Sequence, residues 1–390
     1  VRNMRICGRR MELYIHIPFC VRKCAYCDFL SGPATDLEMR VYVEQLVQEI
    51  SVQSAFYEGY GVTSIFLGGG TPSILEAEDI SRIMEAVYGH FHVEKDAEVT
   101  IEANPGTVSL EKLQIYRASG INRISIGLQS ADDGELKALG RIHSYDGFLK
   151  TYERVRQAGF TNVNIDLMSA LPGQTLESWR STLRKVLMLR PEHISAYSLI
   201  IEEGTPFFKA YHDHPELLPD EDTEREMYYE TKSMLHKQGF ERYEISNYAK
   251  PGYECRHNIG YWTGIEYLGL GLGASSYIQG FRFHNESDLS LYDKIQMAGT
   301  DADEKLHQEI TKLSDKEKME EFMFLGLRMI KGVSGSEFFQ RFGQNMWNVY
   351  GNVLNKLKDE GLIIVDMPDV RLSDYGIDVS NYVLSEFLLD

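Results

Sequence analysis

Short apolar segments alternate with amphipathic segments through the first half of the chain. The short segments are rich in β-branched residues and predict strands at residues 13–17, 63–68, 98–103, 123–128, 162–167 and 193–199. Between them, apolar residues recur at three- and four-residue spacing, which is typical of helices. Six strand–helix units in a row predict an α/β fold with a parallel sheet and right-handed crossovers. The sheet would either close as a partial (β/α)6 barrel or stay open and doubly wound.

The residues that follow the predicted strands help to choose between these two folds. The first strand leads into a cysteine-containing loop and the second into residues 68–71, and the other four end near Glu102, Gln129, Asp166 and Tyr197. In barrel folds the carboxyl ends of the strands form the active face. Any one of these residues could simply cap a loop, but six at the same end favour one shared site. We therefore expect the partial barrel.

The pattern changes after about residue 285. A polar, charged stretch over 285–310 predicts a connection that could contain one helix. Helical segments follow at 320–330, 334–342 and 344–360, and two short apolar segments then predict a hairpin. The expected domains are therefore a tail over 1–11, a barrel region over 12–284, the connection over 285–310, and a small winged-helix-like α+β domain over 311–390. A lid or docking surface against the barrel is the expected role of this last domain.

Composition and charge narrow the function classes. The chain has 390 residues and a net charge of −18 at pH 7. This charge argues against a nucleic-acid partner, because such proteins normally carry a basic face. No apolar run is long enough to span a bilayer, and residues 1–10 lack the apolar core of a signal peptide. We expect a cytoplasmic protein whose regular pattern begins at Met11, after a basic tail or an upstream start.

Three of the five cysteines lie in the segment CVRKCAYC at residues 20–27. Thiolates are soft ligands that hold zinc or iron–sulfur clusters, so Cys20, Cys24 and Cys27 are candidate metal ligands. Plain buried cysteines are one alternative. Zinc with His16 or Asp28 as the fourth ligand is another. The C-x3-C-x2-C spacing favours a cubane cluster, because the loop must fold around one compact object while three sulfurs reach three irons.

The cysteine segment offers three ligands rather than four. The residue two positions after Cys27 is Phe29, and no fourth cysteine lies nearby in the sequence. One iron of a cubane cluster would therefore lack a protein ligand. An exogenous ligand binds at such an open iron.

CVRKCAYC resembles the signature of the radical S-adenosylmethionine (SAM) superfamily. GGGTP at residues 68–72 resembles the superfamily motif whose backbone receives the SAM amino group, although three glycines could also form only a tight turn. GLGLGA at 269–274 suggests a dinucleotide loop but does not open a βαβ unit. The resemblance implies a [4Fe-4S] cluster on the three cysteines, with the amino and carboxylate groups of SAM on the fourth iron.

Further motifs narrow the resemblance to oxygen-independent coproporphyrinogen III oxidase and its relatives. In chain order they are YIHIPFCVRKCAYCDF, IFLGGGTPS, IEANPGT, ISIGLQS, LGRIHS and NIDLMSALPGQT. This resemblance implies that the SAM region is lined by Tyr14, Tyr26, Gly69, Gly70, Thr71, Glu102, Gln129, Arg141 and Asp166. Taken singly, each charged member of this set is as well explained by a salt bridge or a helix cap.

Two departures distinguish this chain from the oxidases. The oxidase pattern has a cysteine where this chain has Phe29, and a long N-terminal segment where this chain begins its first strand soon after Met11. Both features resemble the HemW-type heme chaperones. CRHNIGYW at 255–262 also resembles the heme-binding motif of that branch and implies His257 as an axial heme ligand. A histidine satisfied beside core aromatics is the alternative, and Cys255 is either a second ligand or a core thiol.

The resemblance implies a chaperone that binds heme and a SAM-ligated cluster. It would deliver heme to apoproteins such as respiratory-chain hemoproteins, with the membrane face as one place of hand-over. The rival function is an enzyme, the oxygen-independent oxidase that decarboxylates coproporphyrinogen III by radical chemistry. A structural or regulatory cluster protein fits the full set of SAM residues less well. No residue is assigned a catalytic role, and the oligomeric state is left open.

Overall fold

The fold is described from a computed structural model, which covers residues 8–389. Its centre is six parallel strands that lie side by side in chain order. They are β1 Arg9–Ile17, β2 Tyr60–Gly69, β3 His92–Ala103, β4 Arg123–Gln129, β5 Val163–Ser169 and β6 His193–Ser198. The predicted α/β class with a parallel sheet is confirmed. The sheet is a partial barrel, because β1 and β6 do not pair with each other in the strand order. Each of them pairs with a further strand instead.

Helices connect the parallel strands and cover one face of the sheet. They are α1 Asp36–Ser54, α2 Ala77–His90, α3 Leu110–Ala118, α4 Asp133–Ala138, α5 Tyr145–Gln157 and α6 Leu176–Met188. The helix α1 starts where Thr35 and Glu38 form a capping box. Side chains alternate along each strand, so Leu13 and Ile15 pack in the core shared with the helices. The residues between them, such as Tyr14, face the barrel interior.

The sheet continues beyond the six central strands on both sides. Next to β6 lie two short antiparallel strands, and next to β1 lies a parallel strand followed by an antiparallel meander. After α7 Pro206–Tyr211 and α8 Glu221–His236 come β7 Glu241–Arg242, β8 Asn247–Ala249, α9 Arg256–Thr263, β9 Glu266–Leu270, β10 Ser275–Ile278, β11 Phe281–Asn285, α10 Leu289–Tyr292, α11 Ala302–Leu306 and β12 His307–Lys312. The predicted connection over 285–310 therefore contains two short helices, α10 and α11, where the pattern indicated one, and it ends within a strand of the sheet, β12. The domain limits at residues 284 and 311 stay predictions.

The last part of the chain builds a second hydrophobic core around Met323, Phe338 and Leu354. Its elements are α12 Asp315–Gly326, α13 Gly335–Phe342, α14 Met346–Asp359, β13 Ile363–Asp366, β14 Asp369–Leu372, α15 Asp374–Asp378 and α16 Ser380–Ser385. The three helices and the hairpin that the pattern predicts are present. We refer to residues 313–389 as the C-terminal module.

Two further points about the chain bear on the site. The first strand begins at Arg9, before the expected start of the pattern at Met11, and the rest of the predicted tail, residues 1–7, lies outside the described residues. The helix α9 packs against β2 and β9 on one side and against α12 on the other, so it lies between the barrel and the C-terminal module. No helix within residues 8–389 is long and apolar enough to cross a lipid bilayer.

Candidate functional site

The three clustered cysteines lie in a loop at the carboxyl end of β1. Backbone hydrogen bonds close this loop at its base, from Cys20 N to Gly32 O (3.0 Å) and from Gly32 N to Pro18 O (3.0 Å). Cys20 is buried and Cys24 and Cys27 are half-buried, and all three thiols are free. Burial raises the pKa of Cys20 and of Cys27 above the ordinary thiol value. The loop therefore presents three unpaired thiols at the mouth of the barrel.

The surroundings of these thiols fit a cluster better than a zinc ion. His16 is one of the two candidate fourth ligands of zinc, with Asp28, and both of its ring nitrogens are engaged. Its Nε2 donates to Leu30 O at 2.9 Å and its Nδ1 accepts from the Tyr14 hydroxyl at 3.0 Å. In the described part of the chain, no three His, Cys, Asp or Glu side chains are placed to hold one metal ion. Three soft thiol donors spread along one loop are the donor set that an iron–sulfur cluster takes.

The glycine loop after β2 passes directly beneath the cysteine loop. Gly70 N donates to Ile17 O at 2.9 Å, and Thr71 N donates to Phe19 O at 2.7 Å. A Cβ on Gly70 would lie 2.5 Å from Phe19 O, and Gly69 has a φ of +110° with the His16 ring beside it. Glycine is therefore needed at both positions for the close approach of the chain to itself. A contact of this loop with SAM stays a prediction.

Two half-buried carboxylates face the barrel interior from the ends of β3 and β5, on either side of β4. Glu102 Oε2 accepts from Gly69 N at 3.2 Å. Its pKa is raised to about 8 by burial and, to a smaller extent, by the charge of Asp166. Asp166 accepts from Ser125 Oγ at 2.9 Å and from Asn164 Nδ2 at 2.7 Å, and burial raises its pKa as well. The two groups can accept hydrogen bonds from hydroxyl or ammonium groups of a ligand.

Arg141 connects the cysteine loop to the strand ends. Its Nη2 donates to Asn104 Oδ1 at 2.5 Å and to Gly127 O at 2.6 Å, and its Nη1 lies 3.7 Å from Cys24 Sγ. Asn104 Nδ2 in turn donates to Thr71 Oγ1 at 2.7 Å. Asn104 was not among the predicted site residues. Its position directly after β3, within the IEANPGT motif, was the available signal.

Gln129 and Tyr26 complete the predicted set at the mouth. Gln129 ends β4 with a φ of +71°, after a register shift against β5, and this left-handed backbone is uncommon for a residue with a side chain. Tyr26 packs against Phe207 of α7, with ring centroids 6.3 Å apart. A cavity of about 30 Å³ at this end is lined by Cys20, Cys24, Thr71, Asn104 and Arg141, among other residues. The predicted residues of the SAM region thus gather at one end of the barrel.

The structure does not bring His257 to the mouth. His257 lies on α9 inside the barrel, where its side chain is 1% exposed. Its Nδ1 is 2.9 Å from Ser64 Oγ and 3.6 Å from Glu12 Oε2, and its ring stacks on Phe66 with centroids 5.1 Å apart. Burial lowers its pKa to about 3. Within residues 8–389 its Nε2 has no hydrogen-bond partner.

A glutamate from β3 holds the start of α9. The carboxylate of Glu98 accepts from Arg256 N at 3.1 Å, from His257 N at 3.2 Å and from the Cys255 thiol at 3.4 Å. Cys255 is the N-cap residue but makes no side-chain cap bond of its own, so Glu98 supplies the cap from another strand. The Cys255 thiol, proposed above as either a second ligand or a core thiol, is thus a buried donor here.

A glycine fixes the next turn of α9 against β1. A Cβ on Gly260 would collide with the carboxyl group of Glu12, so only glycine allows this contact. Burial raises the pKa of Glu12 to about 9. Glu12, Ser64 and Glu98 were not among the predicted site residues. Strand alternation, which places them on the inner face of β1 to β3, was the signal that could have found them.

Comparisons with protein-family models agree with this geometry. The radical SAM superfamily model matches residues 14–186, and the model of the HemN C-terminal domain matches residues 313–379. The first match begins in β1 and spans the cysteine loop and the ends of the next four strands, β2 to β5. The second match covers most of the C-terminal module.

Whole-chain relatives extend these matches. The chain is 38% identical to the heme chaperone HemW of Lactococcus lactis over 97% of both chains. It is 37% identical to HemW of Bacillus subtilis over 96% of this chain and 98% of that one. Among solved structures, coproporphyrinogen III oxidase (HemN) of Escherichia coli matches with a TM-score of 0.84 and 25% identity, over 99% of this chain and 91% of that chain.

Proposed function

Because the chain belongs to the HemW family of heme chaperones within the radical SAM superfamily, we propose that it is a heme carrier. It would bind heme together with a SAM-ligated [4Fe-4S] cluster and deliver the heme to heme-requiring apoproteins. Respiratory-chain hemoproteins are the proposed recipients, in the cytoplasm or where their membrane meets it. The two cofactor sites would lie at different levels of the same barrel.

At the mouth, Cys20, Cys24 and Cys27 would hold the cluster. When bound, the cluster would supply one electron at a time and an open iron for the amino and carboxylate groups of SAM. The chain's own residues orient and enclose this site. Arg141 braces the cysteine loop through Cys24 and fixes Asn104, while the raised pKa of Glu102 keeps that group able to donate or accept a proton near neutral pH.

The observation that carries the heme proposal is the free ring nitrogen of His257. Nδ1 is occupied by Ser64, so Nε2 is the nitrogen left for a ligand. Nε2 is buried without a hydrogen-bond partner among the described residues, and imidazole is the usual protein ligand of heme iron. A partner at the other ring nitrogen is the usual way in which a protein orients a ligating histidine.

The enclosure of His257 sets a condition on this proposal. A side chain that is 1% exposed cannot reach the iron of a porphyrin in solution. Heme binding through His257 therefore requires α9 to move away from β2. The bonds that oppose this movement are those of Glu98 at one end of α9 and the bond from Arg341 Nη2 to Thr263 O (2.9 Å) at the other.

The test is an anaerobic heme titration of the reconstituted protein and two variants. His257→Ala is expected to weaken heme binding at least about tenfold, since it removes an axial ligand worth more than ~1.4 kcal/mol. His236→Ala, an exposed histidine at the end of α8, is the matched control and should leave binding unchanged. Unchanged heme affinity in His257→Ala would remove His257 from its proposed role.

The rival function is tested on the same preparation. The likeness to the HemN structure over 99% of the chain is what favours it. The protein would be incubated anaerobically with SAM, a reductant and coproporphyrinogen III. A heme carrier should give no sustained formation of protoporphyrinogen IX, and repeated turnover would make the chain an oxidase.

A further inference from the structure

A cleft separates the end of α9 from the C-terminal module. Its cavity has a volume of about 260 Å³. One wall is Trp262, which ends the HNIGYW segment, and the opposite wall comes from α12 and α13 of the module, including Phe322 and Phe342. Lys318 and Lys331 also line the cleft. None of the residues at the barrel mouth takes part, so this cavity is separate from the cysteine site.

Three donors line this cleft without a strong partner among the described residues. The indole Nε1 of Trp262 is a buried atom that lacks a hydrogen-bond partner among the residues described here. Lys331 makes no ion pair with any other residue of the range 8–389. Lys318 pairs only with Asp315 on its own helix, at 3.3 Å, and such exposed i,i+3 pairs contribute little. A ligand that fills the cleft would therefore need acceptor oxygens or negative charge.

The acidic groups of the cleft are already neutralised. Glu321 pairs with Arg282 at 3.0 Å, and Glu337 pairs with Arg341 on the next turn of α13. Their charges are met by arginines, whereas Lys331 has no ion-pair partner within residues 8–389 and Lys318 has only the exposed carboxylate of Asp315. In a chain of net charge −18 the cleft is thus a locally cationic site.

The apolar part of the cleft lining is largely aromatic. The rings of Phe322 and Phe342 meet edge to face with centroids 5.8 Å apart. The guanidinium of Arg328 lies over the Trp262 ring at 4.3 Å, which holds the indole in place. Such walls suit a planar aromatic body.

We propose that this cleft binds the carboxylate-bearing edge of a porphyrin, with Lys318 and Lys331 on the carboxylates and the macrocycle edge against Trp262. This inference rests on the proposed function, since it places the first contact of the cargo beside α9. It assigns the C-terminal module a direct part in binding the cargo. The cavity holds only part of a porphyrin, so the rest of the macrocycle stays outside the cleft and the His257 ring stays enclosed at this stage.

The test uses metal-free protoporphyrin IX, which has the carboxylates but no iron for His257 to ligate. Its affinity for the full-length protein is measured by fluorescence titration. The double variant Lys318→Glu/Lys331→Glu is expected to weaken binding about tenfold or more, because it replaces two attractive charges with repulsive ones. The variant Lys358→Glu, which makes one such charge reversal on the exposed face of α14, should bind like the unchanged protein.

Two further arms decide the outcome. The dimethyl ester of the same porphyrin lacks the carboxylates and should bind about tenfold more weakly than the diacid. His257→Ala should leave the affinity for the metal-free porphyrin unchanged while it weakens heme binding. Equal binding of ester and diacid, or loss of metal-free porphyrin binding in His257→Ala but not in the lysine variant, would overturn the cleft proposal. If His257→Ala bound heme as tightly as the unchanged protein while both porphyrin tests gave the expected results, the proposed role of His257 in heme binding would be overturned. The cleft proposal would still stand.

Discussion

The mouth of the barrel and the interior beneath it differ in how accessible their ligand atoms are. At the mouth, Cys24 and Cys27 are half-buried, and the cysteine loop also exposes Phe29 to 68%. In the interior, the side chain of His257 is 1% exposed and α9 is fastened at both ends. Both sites draw on residues of the same parallel strands. The thiols at the mouth are therefore partly reachable from solvent, whereas the interior can accept a ligand only after a helix has moved.

The difference follows from the direction of the strands and the placement of one helix. Carboxyl ends of parallel strands open into loops, so side chains there meet solvent. The amino-terminal halves of the same strands are covered by α9, and the His257 imidazole on this helix stacks on Phe66. Phe66 also stacks on Tyr14, with centroids 6.4 Å apart, and so separates the two levels by one layer of aromatic rings.

The largest effect is expected at the mouth. Cys24→Ala should abolish the iron and sulfide content of anaerobically reconstituted protein, because two thiolates cannot hold a cubane cluster in place of three. Chemical analysis of iron and sulfide measures this. Cys255→Ala, the buried thiol bonded to Glu98, is the comparison and should keep its cluster. Iron and sulfide retained in Cys24→Ala would contradict the assignment of the loop.

The next largest effect is expected in the interior. Gly260→Ala should lower the free energy of unfolding by roughly 1–3 kcal/mol, because the new methyl group collides with the Glu12 carboxyl. Urea unfolding measures it. Gly351→Ala, in the middle of α14 where a Cβ meets nothing within 4 Å, should instead stabilise the protein slightly.

A second substitution checks the cause of that loss. In a Glu12→Ala background the collision is gone, so Gly260→Ala should cost less than about 0.5 kcal/mol, a coupling expected of two residues in contact. An undiminished cost in this background would mean that Glu12 is not what excludes a side chain at residue 260.

A smaller effect is expected at the cap of α9. Glu98→Gln should cost about 1 kcal/mol and should speed amide hydrogen exchange within α9, because a neutral amide is a weaker acceptor for the helix N-terminus. Exchange in α5 should not change. Glu85→Gln, on the exposed side of α2, is the control. Equal exchange in α9 of both variants would show that Glu98 does not fasten the helix.

A further effect, which depends on pH, is expected at a buried carboxylate of α1. Glu49 on α1 is buried and accepts hydrogen bonds from Gly271 N at 3.1 Å and from Asn285 Nδ2 at 2.8 Å. Burial raises its pKa to about 7. Between pH 4.5 and 7 the folded state keeps this proton longer than the unfolded state does, so stability falls as pH rises and levels off above 7.

The expected loss from Glu49 is up to about 1 kcal/mol per pH unit below 7. Urea unfolding of the cluster-free protein at pH 5.5, 6.5 and 7.5 measures it, and Glu49→Gln should flatten the dependence over this range. A slope unchanged in Glu49→Gln would assign the pH dependence to another group.

The mouth was largely predictable from the sequence, and the interior was not. The carboxyl ends of parallel strands lie at one edge of a sheet, and this predicted that Glu102, Asp166 and the cysteines would lie together. The prediction needed only the local sequence pattern and the parallel order of the strands. The enclosure of His257 depends on Glu98, which lies 159 residues away along the chain. Local pattern carries no information about that contact.

The strand β12 shows a second limit of the sequence pattern. The residues HQEITK form an edge strand with mostly exposed side chains, so they lack the apolar alternation that marks a strand. The pattern predicted only a connection there. The extent of the sheet depends on pairing with β11, which is a tertiary contact.

The central claim is that the cysteine loop at the mouth and His257 in the interior are separate sites. It is tested most directly by one heme titration of a protein that cannot form the cluster. In Cys20→Ala/Cys24→Ala/Cys27→Ala we expect heme affinity within about twofold of that of the reconstituted protein, since none of these residues contacts α9. A variant that has lost both its cluster and its heme binding would show that the mouth and the interior form a single site.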